Sequence, residues 1–168
     1  LADDAELVDT VGAAMHESYW IAESEEVIAR NLRQMDAMGE DALSIECHYW
    51  EERGATMVTV VTPDHPGLFS RIAGGIHLAG GNIIDARIHT NRNGRAVDNF
   101  LVQDPMCRPF REESQIARLT QSIRDTLANK VKLVPQLAAR PMSRPRADAF
   151  EVQPRVTFDN DASNRFTV

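Results

Sequence analysis

Met57-Val58-Thr59-Val60-Val61-Thr62-Pro63-Asp64-His65-Pro66-Gly67-Leu68-Phe69 is the stretch on which the fold turns. From Met57 to Thr62 it is β-branched and nearly continuous, the pattern of a central strand covered on both faces or nearly so. Pro63 ends that strand. Leu68, Phe69, Ile72, Ala73, Ile76 and Ala79 then recur at helical spacing, and Gly80-Gly81 supply residues tolerant of positive φ that close a helix.

Toward the carboxyl end, Ile84, Ala86 and Ile88 alternate with Asp85, Arg87 and His89 across 82–90, so this strand carries one wet or interfacial face. A charge row of that kind reads as solvated or dimer-facing before it reads as catalytic. Asn93-Gly94 signals a hairpin turn, and Ala96 to Gln103 is the returning strand. Ile116, Leu119, Ile123 and Leu127 then mark an amphipathic helix from about Glu113 to Asn129. Residues 135–149 are rich in Pro and Arg and read as an exposed linker. Phe150, Val152, Val156 and Phe158 alternate once more, with Pro154 confining that strand to an edge or a bulge.

The order from Met57 is thus β-α-β-β-α-β. This predicts an α+β, ferredoxin-like fold, an antiparallel four-stranded sheet with both helices on one face and the other face free. Toward the amino end, Leu43, Ile45, Cys47 and Tyr49 alternate as a half-buried strand, followed by a turn over 51–54. Before it come two short helices. One is marked by Leu7, Val8, Val11, Ala14 and Met15, the other by Ile28, Leu32 and Met35 between a Ser24 cap and Gly39. They carry too little apolar surface for a core of their own and belong either to a preceding domain or to the back of the sheet.

The 168 residues are 43% hydrophobic and 26% charged, a globular composition, with a formal net charge of −7. An acidic chain disfavours nonspecific nucleic-acid binding or docking on anionic membranes. No apolar run approaches a membrane span and the amino end is acidic, so a cytoplasmic location is expected. Cys47 and Cys107 stand apart with no CxxC neighbour, and the five histidines are scattered, which suggests neither a disulfide framework nor a metal site. Gly74-Gly75 and Gly80-Gly81 lack a following Gly-Lys-Ser/Thr; helix packing or termination explains them better than a phosphate loop.

The loop 63–67 is the place for chemistry. Two prolines stiffen it, Gly67 admits a close backbone, and the next helix presents unpaired N–H groups at its positive end, which suit a carboxylate. Asp64 could hold an ammonium group, so the two ends of a free amino acid would fit. The plainer alternative is that Asp64 only caps the helix.

Asp64-His65-Pro66-Gly67-Leu68 with Ile72-Ala73, then Gly81-Asn82-Ile83 opening the next strand, on a βαββαβ order, resembles the ACT domain, a regulatory amino-acid-binding module. Residues 62–74, 82–90 and Asp98-Asn99-Phe100-Leu101-Val102-Gln103-Asp104 are similar, more narrowly, to the first ACT domain of the bifunctional uridylyltransferase/uridylyl-removing enzymes of PII nitrogen signalling. Residues 156–163 resemble the bridge into a second ACT domain. This resemblance implies a parent with a Mg-dependent nucleotidyltransferase domain, an HD-type hydrolase domain and tandem ACT domains that sense glutamine. It divides the chain into 1–42, the helical tail of the HD-type domain, 43–159, the ACT domain, and 160–168, the truncated start of a second. It implies glutamine binding at Asp64, His65, Pro66, Gly67, Leu68, Asn82 and Ile83, PII protein as the parent's substrate, and a homodimer through ACT sheets.

The chain lacks a Gly-Ser pair followed by Asp-x-Asp and lacks a His-Asp doublet, so neither catalytic centre is expected here, nor a cofactor of its own. The alternatives are an ACT module that only dimerises and the ACT domain of another amino-acid-regulated enzyme.

Overall fold

The structure, a computed structural model, describes residues 5–39 and 41–139. It opens with helices α1 (Ala5–Asp9), α2 (Glu17–Ala22) and α3 (Glu25–Met38), joined by a 3-10 turn at Gly12–Ala14. Ser24 starts α3 as expected, its hydroxyl oxygen accepting the Val27 N–H at 3.4 Å. Gly39 ends it at φ +54°.

Strands β1 (Ser44–Trp50), β2 (Ala55–Pro63), β3 (Asn82–Thr90) and β4 (Arg95–Gln103) form one antiparallel sheet in the order β1-β2-β4-β3. Helix α4 (Leu68–Leu78) joins β2 to β3, and α5 (Glu113–Leu127) and α6 (Leu133–Ala138) follow β4. The α+β, ferredoxin-like class predicted from sequence is present. One strand differs from expectation. The place beside β2 is taken by β1, which precedes it, and the expected edge strand over 150–158 lies outside the described residues, as do 160–168. The 3-10 turn Glu51–Arg53 and Gly54 in the left-handed region make β1 and β2 a tight hairpin, and a short loop costs little to close.

Along β2, Val58 and Val60 point to one face and pack with Leu68, Ile72, Ile76, Phe100, Leu119 and Ile123 beneath α4 and α5. Met57 and Val61 point to the other. That second face is covered, contrary to the sequence expectation. Val61 and Val97 pack with Met15, Tyr19, Ile28, Leu32 and Met35, while Met57 and Leu101 pack with Val27. The amino-terminal helices therefore form the sheet's other layer, the second of the two placements left open for them. The physical reason is the apolar character of alternate residues on both faces of β2 and β4, which water would otherwise meet. Gln34 pins α3 to the sheet, its amide donating to the Thr59 carbonyl at 3.2 Å and the Ser44 hydroxyl at 3.0 Å.

The stretch taken as linker begins inside α6, whose Leu133 packs over Gly74. Gly75 meets α5 directly, and its carbonyl accepts the Ser122 hydroxyl at 2.7 Å, so the glycine pair serves helix packing.

Candidate functional site

The loop after β2 is held at both ends. The Asp64 N–H donates to the Gly94 carbonyl at 2.8 Å, tying it to the β3–β4 hairpin, and the Leu68 N–H donates to the His65 carbonyl at 3.1 Å. Gly67 sits at φ +83° as the residue before α4, a conformation that costs other residues about 1–2 kcal/mol. No side chain caps α4 there. Asp64 instead accepts the Thr90 hydroxyl at 3.0 Å through Oδ2, which replaces the capping alternative by a link to β3. The His65 ring Nδ1 lies 3.1 Å from the Pro66 carbonyl, and the Ser70 hydroxyl donates to the Gly67 carbonyl at 2.8 Å.

These residues line an open cavity of about 340 Å³, bounded on the other side by Ile88 and Thr90 of β3 and by Asp98 of β4. Phe69 flanks it, half-exposed and stacked on Phe100 at 5.8 Å between ring centroids. Four of the seven residues implied by the resemblance, Asp64, His65, Gly67 and Leu68, line this cavity, and Pro66 lies in the same loop. Asn82 and Ile83 do not join them. Thr90 pairs with Ala96 at the loop end of the sheet and Asn82 with Gln103 at the other. Asn82 and Thr90 stand eight residue steps apart along the strand, roughly 26 Å at ~3.3 Å per residue.

Asp98 is the residue that sequence reasoning missed. By strand alternation it lies between Ala96 and Phe100 on the α4 face of β4, 1% exposed, and its Oδ1 has no hydrogen-bond partner. Burial and then the nearby Asp64 charge push its pKa up to about 7, against a backbone hydrogen bond from His89 and the His89 ring. A folded-state pKa above the unfolded one means the fold holds that proton more tightly. Stability from this group is full below about pH 4 and lost as pH rises through 7. Chemical denaturation is thus expected to show the chain more stable at pH 5.5 than at pH 7.5, with the difference reduced in Asp98→Asn.

On the opposite face Arg87 and His89 meet the amino-terminal helical segment, while Asp85 faces Arg53. Glu23, 2% exposed in its side chain, accepts from Arg87 at 3.0 Å, from His89 at 3.0 Å and from Asn99 at 3.0 Å. Burial alone would raise its pKa, but the His89 and Asn99 hydrogen bonds and the Arg87 charge hold it below the usual range. A second cavity of about 170 Å³ opens beside this network, toward Trp50, Arg53 and Asp85. Its charged groups are already engaged with one another, Arg53 with Asp85 at 3.7 Å and Arg87 with Glu23. The first cavity holds the uncommitted carboxylate, and is therefore the candidate site.

Among the described residues no cluster of three or more His, Cys, Asp or Glu could hold a metal ion, and no helix is long and apolar enough to cross a membrane. Burial pushes the Cys47 thiol up to about 11, away from reactivity at neutral pH.

No family model matches the chain, and no solved structure matches it. Among curated proteins it is 68% identical over 162 residues to the bifunctional uridylyltransferase/uridylyl-removing enzyme of Novosphingobium aromaticivorans, covering 96% of this chain and 18% of that protein. The chain matches one segment of that enzyme. Relatives of the same name are 62% identical in Erythrobacter litoralis over 170 residues and 40% identical in Zymomonas mobilis over 169. The chain spans about a fifth of the length of these curated relatives, 18% in each case, and the match takes in nearly all of it.

Proposed function

We propose that this chain is the amino-acid-sensing ACT region of a bifunctional uridylyltransferase/uridylyl-removing enzyme, taking glutamine at the loop Asp64 to Leu68. In this reading it controls uridylylation and deuridylylation of PII protein by cytoplasmic, Mg-using catalytic domains elsewhere in the parent. The observation that carries it is the opposition of charges at one cavity. Asp64 is fixed by Thr90 without capping the helix, and the start of α4 brings backbone N–H groups, so an ammonium and a carboxylate both find partners. The likeness to the named enzymes supplies the parent.

Charge-assisted hydrogen bonds contribute ~1.5–3 kcal/mol, so Asp64→Asn should weaken glutamine binding by roughly ten- to a hundredfold. Isothermal calorimetry on the chain reads this directly. Unaltered affinity in Asp64→Asn would remove Asp64 from the site.

The same reading includes a homodimer. β3 is an outer strand, and Ile84 and Ile88 on it are 47% and 46% exposed. Antiparallel pairing of two β3 edges would bring the Asn82-Ile83 end of a second copy beside the Thr90 end of the first, restoring the two halves that one chain keeps apart. Light scattering should find a dimer, and Ile88→Lys should shift it toward monomer. A strict monomer at high micromolar concentration would exclude this arrangement.

A further inference from the structure

We infer that Asp98 is the buried acceptor for the ligand's ammonium group, and that its proton leaves for solvent when an α-amino acid binds. The inference rests on reading this cavity as an amino-acid site and adds a specificity residue and a proton to it. Asp98 lies in the middle of β4, opposite Ile88 on one neighbouring strand and Val60 on the other, with Ala96 and Phe100 before and after it on the same face. Every other member of that row is apolar. A carboxyl group 99% withdrawn from water with one oxygen unpartnered is costly unless something supplies a donor. It borders the one cavity that also holds Asp64, so a donor reaching it would meet two carboxyl groups.

The chemistry of the donor follows from the surroundings. The loop contributes Asp64 and His65 as the titratable groups of this cavity, and β3 contributes His89, whose ring lies on the far face against Tyr19 and Glu23. Val60, Ile88 and Leu68 are apolar. The cavity's lining includes no lysine or arginine, so a ligand must bring its own positive charge to satisfy both acids. Without one, burial and the Asp64 carboxylate beside it hold the Asp98 proton up to about pH 7, so the group is mostly protonated near pH 6 and mostly ionised near pH 8. An ammonium keeps its three protons, so the proton on Asp98 is the one released. Below pH 7 that release opposes binding; above it there is none to pay.

The test is calorimetry of the 168-residue chain with L-glutamine, with a panel of other neutral L-α-amino acids, and with glutaramate, the des-amino counterpart of glutamine. Each is titrated in two buffers of different ionisation enthalpy, near pH 6 and near pH 8. The expected result is release of close to one proton near pH 6 and almost none near pH 8, with affinity about tenfold weaker at the lower pH. Glutaramate should bind at least tenfold more weakly than glutamine. Asp98→Asn, nearly isosteric, should abolish the buffer dependence and lower affinity tenfold or more at pH 8. Should that variant fail to fold, the buffer comparison on the unsubstituted chain still decides. Glutamine binding with buffer-independent heat and with glutaramate equally tight would overturn the role of Asp98 while leaving the glutamine reading intact. Another amino acid binding with proton release, where glutamine does not, would uphold Asp98 and end the glutamine reading. Binding by none of them would overturn both.

Discussion

Gly75→Ala should lower stability by about 3 kcal/mol and Gly75→Val should prevent folding, because helices α4 and α5 touch at this residue with no room for a side chain. A β-carbon there would stand 2.8 Å from the Ile123 Cα, 3.1 Å from its nitrogen and 2.7 Å from the Thr126 hydroxyl oxygen. Two of these are backbone atoms and cannot rotate aside, so α5 would have to move off the sheet and take Leu119 and Ile123 partly out of the core. The Ser122 hydroxyl would also lose the Gly75 carbonyl. For a chain of this size 3 kcal/mol corresponds to a fall in Tm of roughly 10 °C. Gly94→Ala is the natural comparison. Its φ of +73° imposes backbone strain but nothing lies within 4 Å, so about 1 kcal/mol is expected. Equal losses at the two positions would show that α4 and α5 are not in the contact described.

Glu23→Ala should cost about 3 kcal/mol, since it strands a buried acceptor's donors on the sheet. Asn99 would lose the partner of its amide and His89 that of its ring, and neither can reach water easily beneath α2 and α3. Arg87, 44% exposed, can turn to solvent and limits the loss. Glu23→Gln keeps an acceptor and should lose less. Because the folded state depresses the Glu23 pKa, its contribution is present above about pH 4.5 and disappears as pH falls through the folded value. The difference between the unsubstituted chain and Glu23→Ala in urea unfolding should therefore be larger at pH 6 than at pH 3.5. A constant difference would mean that charge plays no part in fastening the helices.

The order of elements around the loop was legible because each carried a strong local pattern: continuous β-branching over 57–62, the helical stripe from Leu68 to Ala79, and Asn93-Gly94 between alternating strands. What misled was the use of one face at a time. Val97 and Leu101 are apolar as well as Ala96, Phe100 and Val102, so β4 needed cover on both sides, and the chain that supplies it is the pair of helices set apart as too small. Those helices look poor in apolar surface because a layer laid on a sheet needs only one stripe. The candidate loop was legible from its prolines, Gly67 and Asp64. Thr90 was not, since its role depends on strand register. Asp98 had a signal that went unused: one acid in a row of apolar residues on a covered strand is a polar group in need of a partner. Asn82 and Ile83 were placed with the loop by likeness alone, and strand length puts them at the far end.

The hairpin of β1 and β2 has a bearing on synthesis. All four described strands lie between Ser44 and Gln103, with α1 to α3 ahead of them, so the sheet and one of its coverings can form before any residue of α5 has left the ribosome. β4 enters between β2 and β3 and is the last of the described strands. At that moment the nascent chain has one face roofed and the other sheltered only by α4, leaving part of the row of Val58, Phe100 and Val102 bare until Leu119 and Ile123 emerge. A pause in translation while Gln103 has emerged and α5 is still inside the exit tunnel would prolong a stage at which this chain offers a sticky surface to chaperones or to its own copies.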